Sequence, residues 1–145
     1  MLNFTIEVDI DKPRDRVVEL MHLDYLSEWM PGFVKMEHMS GRLWEEGSTY
    51  DLYFKTGNVA YKVTETFMTW RLPERFACTF EDAHMFQTSA NWLEVLPNGR
   101  TRWTSTQSVM GKSLSTKLMM KVIPWVFKSY VKKNFTLFKE FVEQY

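Results

Sequence analysis

Two residues in this chain stand where an acid or base could act on something enclosed by the fold. Glu65 alternates in step with Tyr61, Val63 and Phe67, and His38 with Val34 and Met36, in stretches whose period of two marks β-strands. An inward-facing polar group left without a partner costs about 1–3 kcal/mol, so two roles fit each of them. Glu65 either bridges to a neighbouring Lys or Arg, or turns outward at a bulge, or else it gives and takes protons toward a ligand. His38 carries the same alternatives. Gln87, Ser89 and Asn91 keep step with Leu93 and Val95, while Ser105 and Gln107 keep step with Trp103. If those faces look inward, the cavity they border is amphipathic. The hydroxyls of Tyr50, Tyr53 and Tyr61 offer donors to a ligand carbonyl, although aromatic residues on strands more often simply pack.

Other chemistries lack their residues. His22, His38 and His84 are scattered and Cys78 is the only cysteine, so no metal-ligand spacing arises. Neither a Gly-rich phosphate loop nor a dinucleotide fingerprint occurs. Cys78, mid-strand between Phe76 and Phe80, reads as a small core residue rather than a nucleophile. No metal or cofactor is expected.

At 145 residues the chain suits one domain, residues 1–145, able to bury about 68–70% of its unfolded surface. A single cysteine leaves no disulfide framework, and no charged start with an apolar run marks a signal peptide, so a soluble protein of a reducing cytoplasm is expected. The longest mostly apolar window, Leu118 to Phe127, is far short of the roughly 20 residues that span a bilayer. Net charge is zero, which argues against nucleic acid as a partner. From Gly111 onward, however, seven lysines (Lys112, Lys117, Lys121, Lys128, Lys132, Lys133, Lys139) face only Glu140 and Glu143. That surplus is either a solvated helix face or a site of transient contact with an anionic membrane. Six Trp, six Tyr, eleven Phe and ten Met exceed what a core of this size usually holds, so some should line a space instead of filling one.

The elements that would position these residues follow from periodicity. LNFTIEVDID alternates strictly and makes a strand, ended by Asp11-Lys12-Pro13, where Asp11 can cap a helix begun at Pro13. Two short helices follow, the second from Asp24 to Met30, closed by Pro31-Gly32. Six more strands run to Met110, separated by Gly41, Gly57-Asn58, Leu72-Pro73-Glu74, Asp82-Ala83 and Pro97-Asn98-Gly99, which is hairpin chemistry. From Ser113 the period returns to 3.6. About 33 residues give a rod near 50 Å, with Ile123, Phe127, Tyr130, Asn134, Phe138 and Phe141 on one side and Lys121, Lys128, Lys132 and Lys139 opposite. Pro124 interrupts it, which predicts a kink dividing Ser113–Ile123, over a cavity mouth, from a gripping part, Trp125–Glu143.

This order resembles the helix-grip fold of the START-like superfamily, also called SRPBCC. The likeness is carried by IDKPRDRVVELM, YLSEWMPGF, EEGSTY, TWRLPERF, PNGRTRW and LFKEFVE, spread along the chain. It implies an α+β architecture: a seven-stranded curved antiparallel sheet, two short helices after the first strand, and a long kinked C-terminal helix over a hydrophobic cavity. It also implies a lipid, polyketide or similar molecule in that cavity. The residues expected to face it are Tyr50, Leu52, Tyr61, Val63, Phe76, Phe80, Trp103, Gln107, Met119, Met120, Ile123, Phe127 and Tyr130. The superfamily shares no catalytic set, so function rests on the site. The leading expectation is binding or transport of a hydrophobic small molecule by a monomer or homodimer. The alternative is a polyketide cyclase or dehydratase using Glu65 or His38, and a protein-interaction module is a third class.

Overall fold

Leu2, Phe4, Ile6, Val8 and Ile10 set the face of the first strand, β1 (Leu2–Ile10), in the computed structural model, which describes residues 1–145. β2 (Phe33–Ser40), β3 (Thr49–Thr56), β4 (Val59–Arg71), β5 (Arg75–Glu81), β6 (Met85–Val95) and β7 (Thr101–Gly111) join it in one sheet of order β1-β7-β6-β5-β4-β3-β2. Every pairing is antiparallel. β2 through β7 pair in chain order, and β1 returns to the far edge beside β7, with Ile6 opposite Ser105. The entry to β2 turns at Gly32, where φ is 78° and a Cβ would stand 2.8 Å from the Lys55 carbonyl oxygen. Only glycine accepts both conditions.

Between β1 and β2 lie α1 (Arg14–Leu20), a 3₁₀ turn (Leu23–Tyr25) and α2 (Leu26–Trp29). Asp11 does not cap α1. Pro13 holds the cap position in extended backbone without a side-chain bond, and the Asp11 N–H donates to Glu143 Oε2 at 2.8 Å. Proline has no N–H of its own to satisfy, the Arg16 N–H turns to the Pro13 carbonyl at 3.0 Å, and Asp11 ties the last helix to the end of β1.

The chain then ends in two helices, α3 (Leu114–Val122) and α4 (Trp125–Glu143), rather than one kinked rod. Ile123 has φ −131° and ψ 56°, outside the helical region, because a proline ring disfavours α backbone in the residue before it. Pro124 itself, with φ −61°, opens α4. The sequence located the division correctly, but its form is a break.

Apolar packing falls into two clusters. One joins Ile6 and Ile10, Val17 and Leu20 of α1, Leu93 and Trp103, and Phe135, Phe138, Phe141 and Val142 of α4. The other gathers Leu23, Leu26, Tyr50, Leu52, Phe54 and Phe67 beneath the short helices. All four buried residues of α4 lie in its second half. Tyr130, expected on the packed stripe, is 58% exposed, whereas Phe135, which the stripe omitted, stacks on Trp103 with centroids 3.9 Å apart. Lys139, expected in water, donates to the Asp9 carbonyl and to Glu143, each at 2.9 Å. α4 therefore grips through its C-terminal half and is raised from the sheet at its start. Phe138→Ala should accordingly cost about 3–5 kcal/mol in urea unfolding, while Tyr130→Ala stays within about 0.5 kcal/mol of the parent.

Candidate functional site

Under the raised half of α4 lies a cavity of about 490 Å³, within the range of ligand pockets. Of the 31 residues lining it 24 are hydrophobic, so its contents must be largely apolar. Leu52, Tyr61, Val63, Glu65, Phe76, Phe80, Trp103, Gln107, Met119, Phe127 and Tyr130 border this space. Four residues named with them do not.

Tyr50 is fully buried in the second cluster, and its hydroxyl is already used: it donates to Ser48 Oγ at 3.0 Å and accepts the Trp44 N–H at 2.7 Å. Met120 lies against Gly111 at the end of β7, its sulfur 3.2 Å from where a Cβ would stand. Ile123 falls in the break between α3 and α4, outside the lining. His38 is exposed on the edge strand β2, with Nε2 3.0 Å from the Ser40 carbonyl. It keeps step with Met36 and lies over the Tyr50 ring, centroids 5.3 Å apart, but an edge strand has no neighbour on its outer side and leaves the imidazole in water; the register shift between Phe33 and Lys35 takes Val34, not His38, out of step. Tyr53 also points away from the cavity, donating to Glu37 Oε2 at 3.2 Å.

The floor carries a polar seam. Register aligns Glu65, Phe80, Gln87 and Val109 across four strands, and Cys78, Ser89 and Gln107 in the adjacent row. Gln87 Nε2 donates to Gln107 Oε1 at 2.6 Å, and Gln107 Nε2 donates to Ser89 Oγ at 2.8 Å and Ser105 Oγ at 2.6 Å. Asn91 Nδ2 donates to Ser89 Oγ at 3.0 Å, while Asn91 Oδ1 accepts the Trp103 indole N–H at 2.9 Å. A seam so connected is held rigid, which is what makes buried polar groups tolerable. It ends at Gln87, whose amide oxygen has no protein partner.

Glu65 sits at the other side of this floor, only 5% exposed. Neither Lys nor Arg pairs with it, and it is not turned out at a bulge. Burial pushes its carboxyl up to about 7, offset in part by a hydrogen bond from the Cys78 thiol. Burial, reinforced by Glu65, pushes that thiol well above its ordinary range, so Cys78 is no nucleophile. At neutral pH Glu65 is thus poised between neutral donor and anion.

The cavity opens at one end. Tyr61, Met119, Val126 and Tyr130 line it and are also substantially exposed, which places the mouth between β4, α3 and the start of α4. Deep in the wall, the Trp29 indole N–H is buried without a partner, its ring edge-on to Phe138 at 5.1 Å. Sequence reasoning gave Trp29 no site role, since one turn of helix has no periodicity to read. Asn134, visible as the polar member of an apolar stripe, also borders the cavity.

The chain matches no protein-family model and no curated protein in sequence. Solved structures match it along almost its whole length. Ara h 8.0201 superposes with a TM-score of 0.76 at 11% identity, covering 99% of this chain and 98% of that one. A conserved protein from Geobacillus kaustophilus gives 0.78 at 16%, covering 99% and 96%. The Zhui aromatase/cyclase from Streptomyces sp. R1128 gives 0.71 at 13%, covering 96% and 92%. The chain has the helix-grip fold. The likeness extends over the whole backbone, and identities this low speak for the helix grip alone.

Within this helix grip, Glu65 sets a pH dependence. Between about 4.5 and about 7 its carboxyl is protonated in the folded chain and ionised in the unfolded one, so the folded state binds more protons and stability falls as pH rises through that window. Glu65→Gln should remove the fall, leaving the variant about 3 kcal/mol more stable than the parent at pH 8 and equal to it at pH 4, as read by urea unfolding.

Proposed function

We propose that the chain binds a mainly hydrophobic small molecule bearing one uncharged hydrogen-bonding group, in the cavity beneath α4. The observation that carries this reading is the connected amide and hydroxyl seam across the floor of an otherwise apolar space, ending in the free oxygen of Gln87. Water would fill a wet pocket, and hydrocarbon alone would need no seam; a molecule apolar along its length and polar at one point uses both. The unpartnered Trp29 N–H offers a second contact to any acceptor oxygen.

Glu65 favours a second reading on the same site. A carboxyl near 7 in a mainly apolar cavity suits general acid–base catalysis, worth typically 10²–10⁴-fold, and a cyclase or dehydratase acting on a polyketide-like chain would use it. The cleanest separation is Glu65→Gln: a carrier keeps its affinity, whereas an enzyme keeps binding and loses turnover of a β-keto substrate.

Binding itself is tested with a fluorescent apolar probe such as anilinonaphthalene sulfonate, displaced by long-chain alcohols, ketones and alkanes. Saturable binding, displacement favouring alcohols and ketones, and loss of binding in Val63→Trp are expected. Gln87→Leu should weaken the polar competitors about fivefold and leave alkanes unchanged. Absence of saturable binding would overturn the reading. Pro124→Ala, by letting α3 and α4 join, should slow probe release in stopped-flow measurements, and an unchanged rate would mean that the break does not govern the mouth.

A further inference from the structure

Water meets an apolar stripe on α3 that nothing in the chain covers. Leu114, Leu118 and Val122, spaced by four, project from the side of the helix away from the buried Thr116; Leu114 is 86% exposed. The stripe continues over the break to Trp125, 63% exposed, and Val126. An isolated exposed leucine is ordinary, but a contiguous row on one helix is a contact surface.

The charges beside it say which contact. Lys117, Lys121 and Lys128 flank the stripe, all exposed, and none lies within salt-bridge distance of a carboxylate. No acidic residue occurs between Gly111 and Lys139. A second copy seated about a two-fold axis would bring these lysines against their equivalents, so the pattern disfavours self-association. Leucine and valine flanked by lysine, with a tryptophan at the edge, fit a helix lying flat in a lipid headgroup layer, where Trp is favoured and each lysine gains from anionic lipid. No helix of the chain is long and apolar enough to cross the bilayer, so the contact is peripheral.

We propose that α3 and the α3–α4 break dock the protein on an anionic phospholipid bilayer. Docking there sets the cavity mouth against the membrane, because Met119 and Val126 belong both to the mouth and to the edge of the stripe. Cargo would then pass between bilayer and cavity without crossing water. The surface stands independently of what the cavity holds.

The test is sedimentation of the full chain with phosphatidylcholine vesicles, with or without phosphatidylglycerol. Binding to the anionic vesicles only, released by high salt, is expected. Lys121→Gln with Lys128→Gln should weaken it about 30-fold, at the contribution typical of a lysine near such a surface. Leu118→Ser with Val122→Ser should abolish it, and both double variants should keep the parent's thermal unfolding, since all four side chains are exposed. Equal binding to both vesicle types, no binding, or insensitivity to both double variants would overturn the proposal. So would concentration-dependent dimerisation lost in the Leu118→Ser, Val122→Ser variant, which would assign the stripe to a second copy. Because the vesicles are tested without cargo, failure here leaves the cavity reading standing, and failure of probe binding leaves this one.

Discussion

The indole of Trp103 joins the two halves of this molecule. One face of it stacks on Phe135 at 3.9 Å, Phe138 meets it edge-on at 5.4 Å, and its N–H is spent on Asn91 at 2.9 Å. The aromatic contacts fasten the C-terminal half of α4 to the sheet, and such pairs add about 0.5–1.5 kcal/mol each beyond the area they bury. The N–H fixes Asn91, and through it Ser89, Gln107 and Gln87. Clamp and polar seam therefore depend on one side chain.

The cavity is what remains when only half of a helix is clamped. From Phe135 on, every fourth or third position of α4 carries an aromatic or aliphatic side chain into the core; before it, Val131 alone of this helix packs against that core. Pro124 completes this arrangement by ending α3 independently, so that the roof is built from two pieces that meet at the mouth. The same backbone course in Ara h 8.0201 and in the Zhui aromatase/cyclase shows that the grip tolerates very different sequences.

Much of this was legible in the sequence because strands announce themselves by parity. Counting by two sets Glu65 with Val63 and Phe67, Gln87 and Ser89 with Asn91, and Gln107 with Trp103; that the last two faces look inward is decided by the fold, and register then assembles them into a seam. His38 shows where counting falls short: it keeps step with Met36 and lies opposite Tyr50, yet parity cannot tell that β2 is an edge strand, which leaves the side chain exposed. Tyr50 fails differently, since parity placed it inward but only the fold could show its hydroxyl taken by Ser48 and Trp44. Helix faces were harder still. Periodicity does not say how far along its length a helix is clamped: Tyr130 shares the repeat but lies in the unclamped half of α4, Phe135 sits one residue beside the stripe's Asn134, and the apolar stripe of α3 carries no mark that it is exposed.

The most direct measurement of the cavity's role is native mass spectrometry of the protein purified without denaturant from the organism that makes it, beside the Val63→Trp variant prepared in the same way. The parent should carry an added mass that organic solvent releases, belonging to a molecule largely hydrocarbon with one neutral oxygen or nitrogen function, and the variant should carry none. The bare polypeptide mass in both, or an equal adduct in both, would contradict the account.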